Sequence, residues 1–459
     1  MIDTKEKECL VGAIRRLART LNALESKPSG HLLFYGPSRH LVVRSDDGTT
    51  VAKSYTDQER WRDEIANLKL FLEINESRSK LLQEINSSDT NYIGLPTIDP
   101  RLDISRMDVK TQNGTPISIF SAVQGDLLYD KTMKGIATVD DYMLAAIQVA
   151  RIQEEGKIHR EKLGLEDVIR KKGGEPDTLY FLNRFQNVFL GQLMTYGGIN
   201  IPASLQQEMA IDWESLVAES LVRAHNRGYN GYYYDGNPRH HILNSDRRGI
   251  VSLDFEYRIS LPALLGLASL LSFGLSKEAA PYLSKDDQSK ILDRALLEIE
   301  FVDTLRRGAK DKAERIVKYV AERKVAYDSD LSGEKSDDFY RFLGDGDKGI
   351  GKMRREEFLS AWPYALLERH AAWLGHKARY KAVAEFLLQG DLFKEEGIKF
   401  ETEDPVRQNA IEQRQHLDHM LLALEQLQDR HKRNGKQGAV IGLYNRFKEL
   451  STNPYFSQN

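Results

Sequence analysis

Cysteine is almost absent from this sequence of 459 residues, which contains only Cys9. A disulfide needs two cysteines and a cysteine-rich zinc site needs several, so neither can form within this chain. The N-terminal segment also lacks the apolar core and the small-residue cleavage site of a secretory signal. We therefore expect a cytoplasmic protein that has no disulfide framework.

Long hydrophobic runs and an excess of positive charge are absent as well. The longest apolar stretch, residues 261–275, contains Pro262 and falls short of the roughly 20 residues that a membrane helix needs. We predict a buried helix there and no membrane span. Lys and Arg total 65 against 68 Asp and Glu, a net charge of -3, which argues against broad nucleic-acid binding.

What is present indicates a packed globular chain. Hydrophobic residues make up 41% of the sequence and charged residues 29%, which is typical of a protein with a substantial core. The length predicts two or three domains, and no internal repeat of fixed period is visible.

The hydrophobic pattern changes along the chain. Residues 5–25 have apolar positions at helical spacing, and short β-rich runs follow from His31, with a hairpin turn at Asp46-Asp47-Gly48. A helix is predicted from about Gln58 to Glu73, and then two more strands in LDISRMDVK and PISIFSAV. Beyond Gly125 helices dominate. One of them is predicted to begin with Asp212 as its N-cap, and EEGIKFETEDP reads as a polar loop.

Four charged residues appear in an order that suits phosphoryl transfer. Lys53 lies on a predicted strand, where a fixed cation could face nucleotide phosphates, and Glu64 on the following helix could pair with it. Glu59 and Asp63 are alternatives to Glu64. Asp235 lies in the irregular segment YNGYYYDGNPRHHIL and could act as a general base, while Asp254 at a strand end could hold a divalent cation.

This ordered set resembles the kinase-like superfamily, in its aminoglycoside phosphotransferase and choline kinase branch. VAK is similar to the strand that carries the ATP-binding lysine, DEIANLKLF to the helix that carries its glutamate partner, and LDFEY to the metal-binding strand end. SAVQGDLL is similar to the hinge between the two lobes, which implies that Ala122 and Val123 lie near the adenine. The resemblance covers residues 31 to about 275.

The resemblance implies an α+β class with a bilobal protein-kinase-like fold. The N-lobe would be a small antiparallel sheet with one helix, and the C-lobe would be mainly helical, followed by an all-α C-terminal extension. The implied boundaries are residues 1–30 for an N-terminal helix, 31–125 for the N-lobe, 126–276 for the C-lobe and 277–459 for the extension.

The sequence departs from the family pattern at several positions. The glycine-rich phosphate loop is reduced to residues 36–40, so phosphate contacts would come from backbone amides or from Ser38. Tyr233-Tyr234 replaces the usual His-Gly before the aspartate. Gly266 lies where the family often has an aspartate that supports the catalytic loop, so that support must come from elsewhere.

Three residues are candidates for the second metal ligand. His240 stands five residues after Asp235, where the family has asparagine, while His241 directly precedes Ile-Leu and Asn237 is a third candidate. A histidine at this place resembles the bacterial lipopolysaccharide core kinases. Imidazole is a poorer ligand for Mg²⁺ than an amide or carboxylate oxygen is, and it suits Mn²⁺ or Zn²⁺ better.

The resemblance implies an ATP-dependent phosphotransferase with Mg²⁺, or Mn²⁺, as cofactor. Its acceptor would be a hydroxyl of a small molecule such as an alcohol, a sugar or a glycoconjugate. A protein kinase is one alternative. The other is a pseudokinase or nucleotide-binding scaffold, whose C-terminal helices would bind a protein partner.

Overall fold

The computed structural model describes residues 2–24, 30–35, 41–55, 58–85, 116–165, 176–226, 230–243, 249–255, 260–274, 283–322, 350–432 and 435–456. Three sequence predictions lie outside the described residues. They are the reduced phosphate loop with Ser38, the strand predicted at 102–110, and Glu256 with Tyr257 of the LDFEY motif.

The N-terminal part consists of helix α1 (Thr4–Leu24) and, after it in the chain, an antiparallel sheet. Its strands β1–β4 follow the chain order and pair as neighbours in antiparallel fashion. Their bounds are β1 Gly30–Tyr35, β2 Leu41–Ser45, β3 Thr50–Ser54 and β4 Ile117–Ser121. The predicted apolar face of α1, at Leu10, Ile14, Leu17 and Leu21, is buried in a core shared with these strands.

Helix α2 runs from Gln58 to Glu84 and is longer than the helix predicted from the apolar pattern. Ile65, Leu68 and Phe71 form its buried face, as their spacing predicts. Beyond Glu73 the helix continues because Arg78 and Leu82 are also buried against other elements.

The rest of the described chain is mainly helical. Helices α3 (Leu128–Met133) and α4 (Val139–Ile158) follow the short strand β5 (Asp126–Leu127). Helices α5 (178–197) and α6 (203–226) each contain a π-helical turn, Phe185–Leu190 and Glu214–Ala218. The prediction that Asp212 caps a helix was wrong, since α6 begins at Ala203 and Asp212 accepts a hydrogen bond from Arg446 within it.

The later elements begin with four short strands, and helices follow, with one more strand among them. They are β6 (Asn230–Tyr232), β7 (His241–Leu243), β8 (Ile250–Ser252), β9 (Ser260–Pro262), α7 (Leu264–Gly274), α8 (Lys285–Arg306), α9 (Lys310–Glu322), α10 (Ile350–Leu388), α11 (Leu392–Glu395), β10 (Ile398–Phe400), α12 (Pro405–His431) and α13 (Gln437–Ser451). Strand β7 pairs with both β5 and β8, and β6 pairs with β9. Within the apolar stretch at 261–275, residues 264–274 form helix α7, and its residues 264–272 are buried, as predicted.

Strand β10 corrects one prediction. It lies within the segment that reads as a polar loop, and it pairs in parallel with β1, so the sheet has five strands in the order β10-β1-β2-β3-β4. A strand of three residues is too short to leave a periodic signal in the sequence. The described part of the predicted all-α extension is therefore helical except for one strand at the sheet edge.

The C-terminal helices pack against both parts of the molecule. One core cluster extends from Leu68 to Phe456 and includes residues of α2, α4, α7, α10 and α12. Val383 and Leu387 at the end of α10 join the second core, beneath the sheet. The α+β class, with an antiparallel N-terminal sheet and a helical remainder, is confirmed. Among the described helices, none combines the length and the apolar composition that crossing a bilayer requires.

Candidate active site

Lys53 joins the sheet to two acidic residues. It lies on β3, the strand between β2 and β4, and its Nζ atom is 2.9 Å from Oε2 of Glu64 and 2.5 Å from Oδ1 of Asp254. The lysine side chain is 9% exposed and the glutamate side chain 2%. Burial strengthens such an interaction, because little water remains to screen it. The structure thus brings three of the predicted residues together.

Glu64, and not its neighbours, meets the lysine. Glu64 lies on the buried face of α2, whereas Glu59 is exposed and Asp63 is half-buried. The hydroxyl of Tyr55 donates a second hydrogen bond to Oε2 of Glu64, at 2.6 Å. Burial and the nearby Glu64 carboxylate raise the pKa of Tyr55 well above its usual value, so the hydroxyl stays a donor. These contacts fix the Glu64 carboxylate opposite Lys53.

Asp254 follows β8 with a backbone conformation that is rare for residues other than glycine. Its φ is 69°, in the left-handed region, which aspartate tolerates better than most residues do. Its neighbours hold the backbone there. Tyr234 donates to the carbonyl of Leu253 at 2.7 Å, and Asn67 on α2 donates to the carbonyl of Phe255 at 2.6 Å. Such a conformation persists where the surroundings enforce it, which is common at functional sites.

The loop that carries Asp235 turns through a 3₁₀ helix, Pro238–His240. The backbone amide of Asn237 donates to Oδ1 of Asp235 at 3.3 Å, and Nδ1 of His240 contacts the carbonyl of Asp235 at 2.8 Å. Asn237 caps the 3₁₀ helix, because its side-chain oxygen accepts from the amide of Arg239 at 2.9 Å. These local bonds place the Asp235 carboxylate and the His240 ring on one compact turn.

His240 is the histidine that faces Asp254. Its Nε2 atom lies 3.5 Å from Oδ2 of Asp254. His241 begins β7, is fully buried and contacts Ser252 on the paired strand β8, with 3.4 Å between Nδ1 and Oγ. Burial and the neighbouring His240 lower the pKa of His241 to about 3. His240 thus contacts Asp254, whereas Asn237 caps the 3₁₀ helix through its side-chain oxygen.

The donor set at Asp254 fits a metal that is completed by a ligand. Asp254 and His240 offer one carboxylate and one imidazole, and Mg²⁺ is usually held by one or two carboxylates plus substrate phosphates. The imidazole favours Mn²⁺ over Mg²⁺. Within the described part of the chain, no group of three or more His, Cys, Asp and Glu residues could hold a metal ion by itself.

The predicted hinge connects β4 to β5. Ala122 and Val123 follow β4 directly and are half-buried, and the amide of Ala122 donates to the carbonyl of Thr49 at 2.8 Å. Gly125 has a φ of 144°, and a Cβ atom there would collide with the carbonyl of Leu243 on β7. The segment thus passes from the sheet to the strand pair that flanks the Asp235 loop.

Two glycines let the Asp235 loop lie directly against helix α7. A Cβ atom on Gly236 would collide with the carbonyl of Gly266, and one on Gly266 would lie 2.5 Å from the carbonyl of Tyr234. Gly266 therefore serves close packing, and its position leaves no room for the aspartate of the family pattern. The sequence shows that this position is glycine, but the reason appears only once α7 and the loop are brought together.

Sequence reasoning missed several residues that surround the site. Tyr55 bonds Glu64, Arg239 projects from the Asp235 loop, and Arg369 on α10 bonds Tyr233. Tyr55 has a detectable signal, since it stands two residues after Lys53 and so on the same face of the strand. Arg369 is 136 residues from its partner, and no local pattern predicts that contact.

The chain is similar to solved structures of phosphotransferases. One is the GDP complex of a mutant aminoglycoside 2′-phosphotransferase-IIIa, at 15% identity over 68% of this chain and 96% of that chain, with a TM-score of 0.34. Another is an ethanolamine kinase from Plasmodium vivax, at 10% identity over 88% and 85%, with a TM-score of 0.40. A third is a Ralstonia eutropha protein described as an aminoglycoside phosphotransferase, at 10% identity over 90% and 98%, with a TM-score of 0.36.

No family model matches the sequence, and no curated protein matches it.

Proposed function

We propose that this chain is a phosphotransferase that moves the γ-phosphate of ATP to a hydroxyl group of a small molecule, with a divalent cation as cofactor. The observation that carries the proposal is the convergence of Lys53, Glu64, Asp254 and His240, with contacts of 2.5 to 3.5 Å along the series. Phosphoryl transfer depends mostly on positioning and on charge neutralisation, and this group supplies both.

Each residue has a distinct role in this proposal. Lys53 binds the α- and β-phosphates, and Glu64 keeps the lysine extended towards them. Asp254 and His240 hold the cation, which neutralises phosphate charge when it is bound. Ala122 and Val123 border the adenine. Ser38, which lies outside the described residues, would contact the phosphates.

The reaction needs a base, and Asp235 has that role. The acceptor oxygen attacks the γ-phosphorus while the bond from that phosphorus to the β-phosphate oxygen breaks. Asp235 accepts the proton of the hydroxyl, and ADP leaves. This role is supported by the position of Asp235 on the same turn as His240, which contacts Asp254.

The proposal is tested with ATP labelled on its γ-phosphate, in the presence of Mg²⁺ or Mn²⁺ and a panel of aminoglycosides, amino alcohols and sugars. We expect label to pass to at least one acceptor, and Asp235→Asn to slow the transfer by about 100-fold or more, as for loss of a general base. Asp429→Asn is the matched control, because its side chain is 77% exposed on α12. Metal-dependent ATP binding with no transfer to any acceptor or to water would favour the scaffold alternative.

A further inference from the structure

Helices of the C-terminal region contact the Asp235 loop on both sides of the aspartate. Tyr233, two residues before Asp235, bonds Arg369 of α10. Arg239, four residues after Asp235, bonds Glu412 of α12. The two contacts span 136 and 173 residues of sequence, so they tie the loop to elements that fold far from it along the chain.

The contact of Arg239 combines stacking with charge. Its guanidinium carbon lies 3.8 Å from the ring centre of Tyr129 on α3, and its Nη2 atom lies 3.3 Å from Oε1 of Glu412. The Arg239 side chain is 19% exposed and the Glu412 side chain 1%. A guanidinium held on a ring face and by a buried carboxylate has few other orientations, so the backbone that carries it is restrained as well.

Glu412 is itself fixed by several donors. Tyr129 and Lys377 form short contacts with its two carboxylate oxygens, and Gln408 donates to Oε1 at 2.9 Å. Although burial opposes ionisation, the cations Lys377 and Arg239 lower the pKa of Glu412 to about 2. Glu412 is therefore a charged and rigid acceptor for Arg239 at neutral pH.

The contact at Tyr233 is built in a similar way. Nη1 of Arg369 donates to the Tyr233 hydroxyl at 2.7 Å, and both side chains are buried. Arg369 pairs with Glu368, whose carboxylate also accepts a hydrogen bond from Nε of Arg184 at 2.8 Å. The Tyr233 end of the loop is thus held by a second network of charged side chains, which consists of Arg369, Glu368 and Arg184.

The Asp235 loop needs these contacts with α10 and α12 because the residue of α7 that packs against its backbone is Gly266, which has no side chain to hold the loop. Gly266 packs against the loop backbone where the family pattern often has an aspartate. We propose that Arg239 and Tyr233 are positioning residues, through which α10 and α12 hold the Asp235 loop in its reactive geometry. The inference rests on the proposed function, since a fixed Asp235 matters to the reaction only if Asp235 is the base.

Hydrogen exchange of the full chain without nucleotide tests this inference directly. The amide of His240 donates to the Asn237 carbonyl and that of Leu253 to the His240 carbonyl, both at 2.8 Å, so their exchange reports on the loop. We expect Arg239→Met to accelerate this exchange about tenfold or more, the equivalent of one hydrogen bond to a charged group. The amides of β2 and β3 should remain within about twofold of wild type.

Three further variants separate positioning from general stability. Arg239→Lys keeps a cation opposite Glu412 and should restore part of the protection. Tyr233→Phe removes only the hydroxyl that Arg369 bonds, and should loosen the loop without disturbing the sheet. Lys432→Met is the control at the end of α12, because Lys432 is 65% exposed and pairs only with exposed Asp429 in the described structure.

Activity supplies the second readout. Arg239→Met should lower kcat about tenfold while the Kd for ATP stays within about twofold, because a positioning residue acts on the reacting geometry. Loop exchange equal to that of wild type, or faster exchange spread evenly over the loop and the sheet, would overturn the inference. A wild type that transfers no phosphate would contradict the proposed function, whereas the exchange result is independent of nucleotide.

Discussion

The Nζ atom of Lys53 lies 2.5 Å from Oδ1 of Asp254, across 201 residues of sequence. The same ammonium group lies 2.9 Å from Glu64, so it joins β3, α2 and the backbone after β8. Two carboxylates around one ammonium group leave an excess of negative charge, which a divalent cation would neutralise. The geometry thus links the stability of the apo protein to the residues that would bind nucleotide.

Removing Lys53 should destabilise the protein through Glu64. Lys53→Met leaves a carboxylate that is 2% exposed without its cation, and we expect the free energy of unfolding to fall by about 3 kcal/mol. Lys53→Met combined with Glu64→Gln should recover part of that loss, because no buried charge remains unpaired. Urea denaturation measures both values.

Arg307→Met is the control for an exposed ion pair, because Arg307 is 71% exposed beside Asp303, and its effect should stay below about 0.5 kcal/mol. A double variant less stable than Lys53→Met alone would contradict this account of the buried pair.

The two adjacent histidines should have separable effects. His240→Asn replaces an imidazole beside Asp254 with an amide oxygen, so ATP binding should shift its preference from Mn²⁺ towards Mg²⁺. His241→Asn should leave the metal preference unchanged and lower stability, because His241 is fully buried against β8. Calorimetric titration with each metal decides between them, and a metal shift caused only by His241→Asn would reverse the assignment.

Because Gly266 is closely packed, we predict that two glycine-to-alanine substitutions change the stability in opposite directions. Gly266→Ala places a Cβ atom against Gln153 and the carbonyl of Tyr234, and should lower stability by about 1–3 kcal/mol. Gly438→Ala in α13 meets no atom within 4 Å and should raise stability by about 0.5–1 kcal/mol. Thermal unfolding of the two variants gives the comparison. Equal effects would show that the loop does not pack tightly on α7.

Local sequence pattern predicted the strand and helix that carry Lys53 and Glu64, because alternation and helical spacing are local properties. It left Glu59 and Asp63 as alternatives, since all three lie within about two turns of one helix and only tertiary burial separates them. His240 and His241 were likewise open, because their directions depend on where the 3₁₀ helix ends and β7 begins.

The contacts that hold the site together were not predictable from the sequence. Arg239 and Glu412 meet only because α12 returns to the Asp235 loop, and β10 joins the sheet edge with only three residues. Neither relationship has a period or a spacing that a single sequence displays. Long-range packing decides both.

Buried histidines predict a loss of stability in mild acid. Burial, followed by neighbouring histidines or cations, lowers the pKa values of His241, His370, His376 and His416. The folded-state pKa lies below the unfolded value of about 6.5, so the unfolded chain binds protons first as the pH falls below that value. Each such histidine should remove about 1.4 kcal/mol per pH unit between the two pKa values, which for His241 are about 6.5 and 3.

Urea unfolding at pH values on both sides of 6.5 measures this effect. His416→Gln should reduce the pH dependence by about one proton, because a glutamine cannot take up the proton that the unfolded histidine binds. Glu412 adds a further loss of stability at lower pH, between its ordinary pKa of 4.5 and its folded-state pKa of about 2. A free energy of unfolding that stays constant from neutral pH down to the carboxylate range would contradict the prediction.

The most direct test of the central claim is a calorimetric titration of ATP, with Mg²⁺ or Mn²⁺, into wild type and Asp254→Asn. Asparagine tolerates the φ of 69° at this position, so the substitution removes the charge and keeps the backbone. The account predicts metal-dependent binding to wild type and binding at least about tenfold weaker to the variant, as expected for loss of a charged metal ligand. Absence of ATP binding with either metal, or equal binding by both proteins, would contradict it.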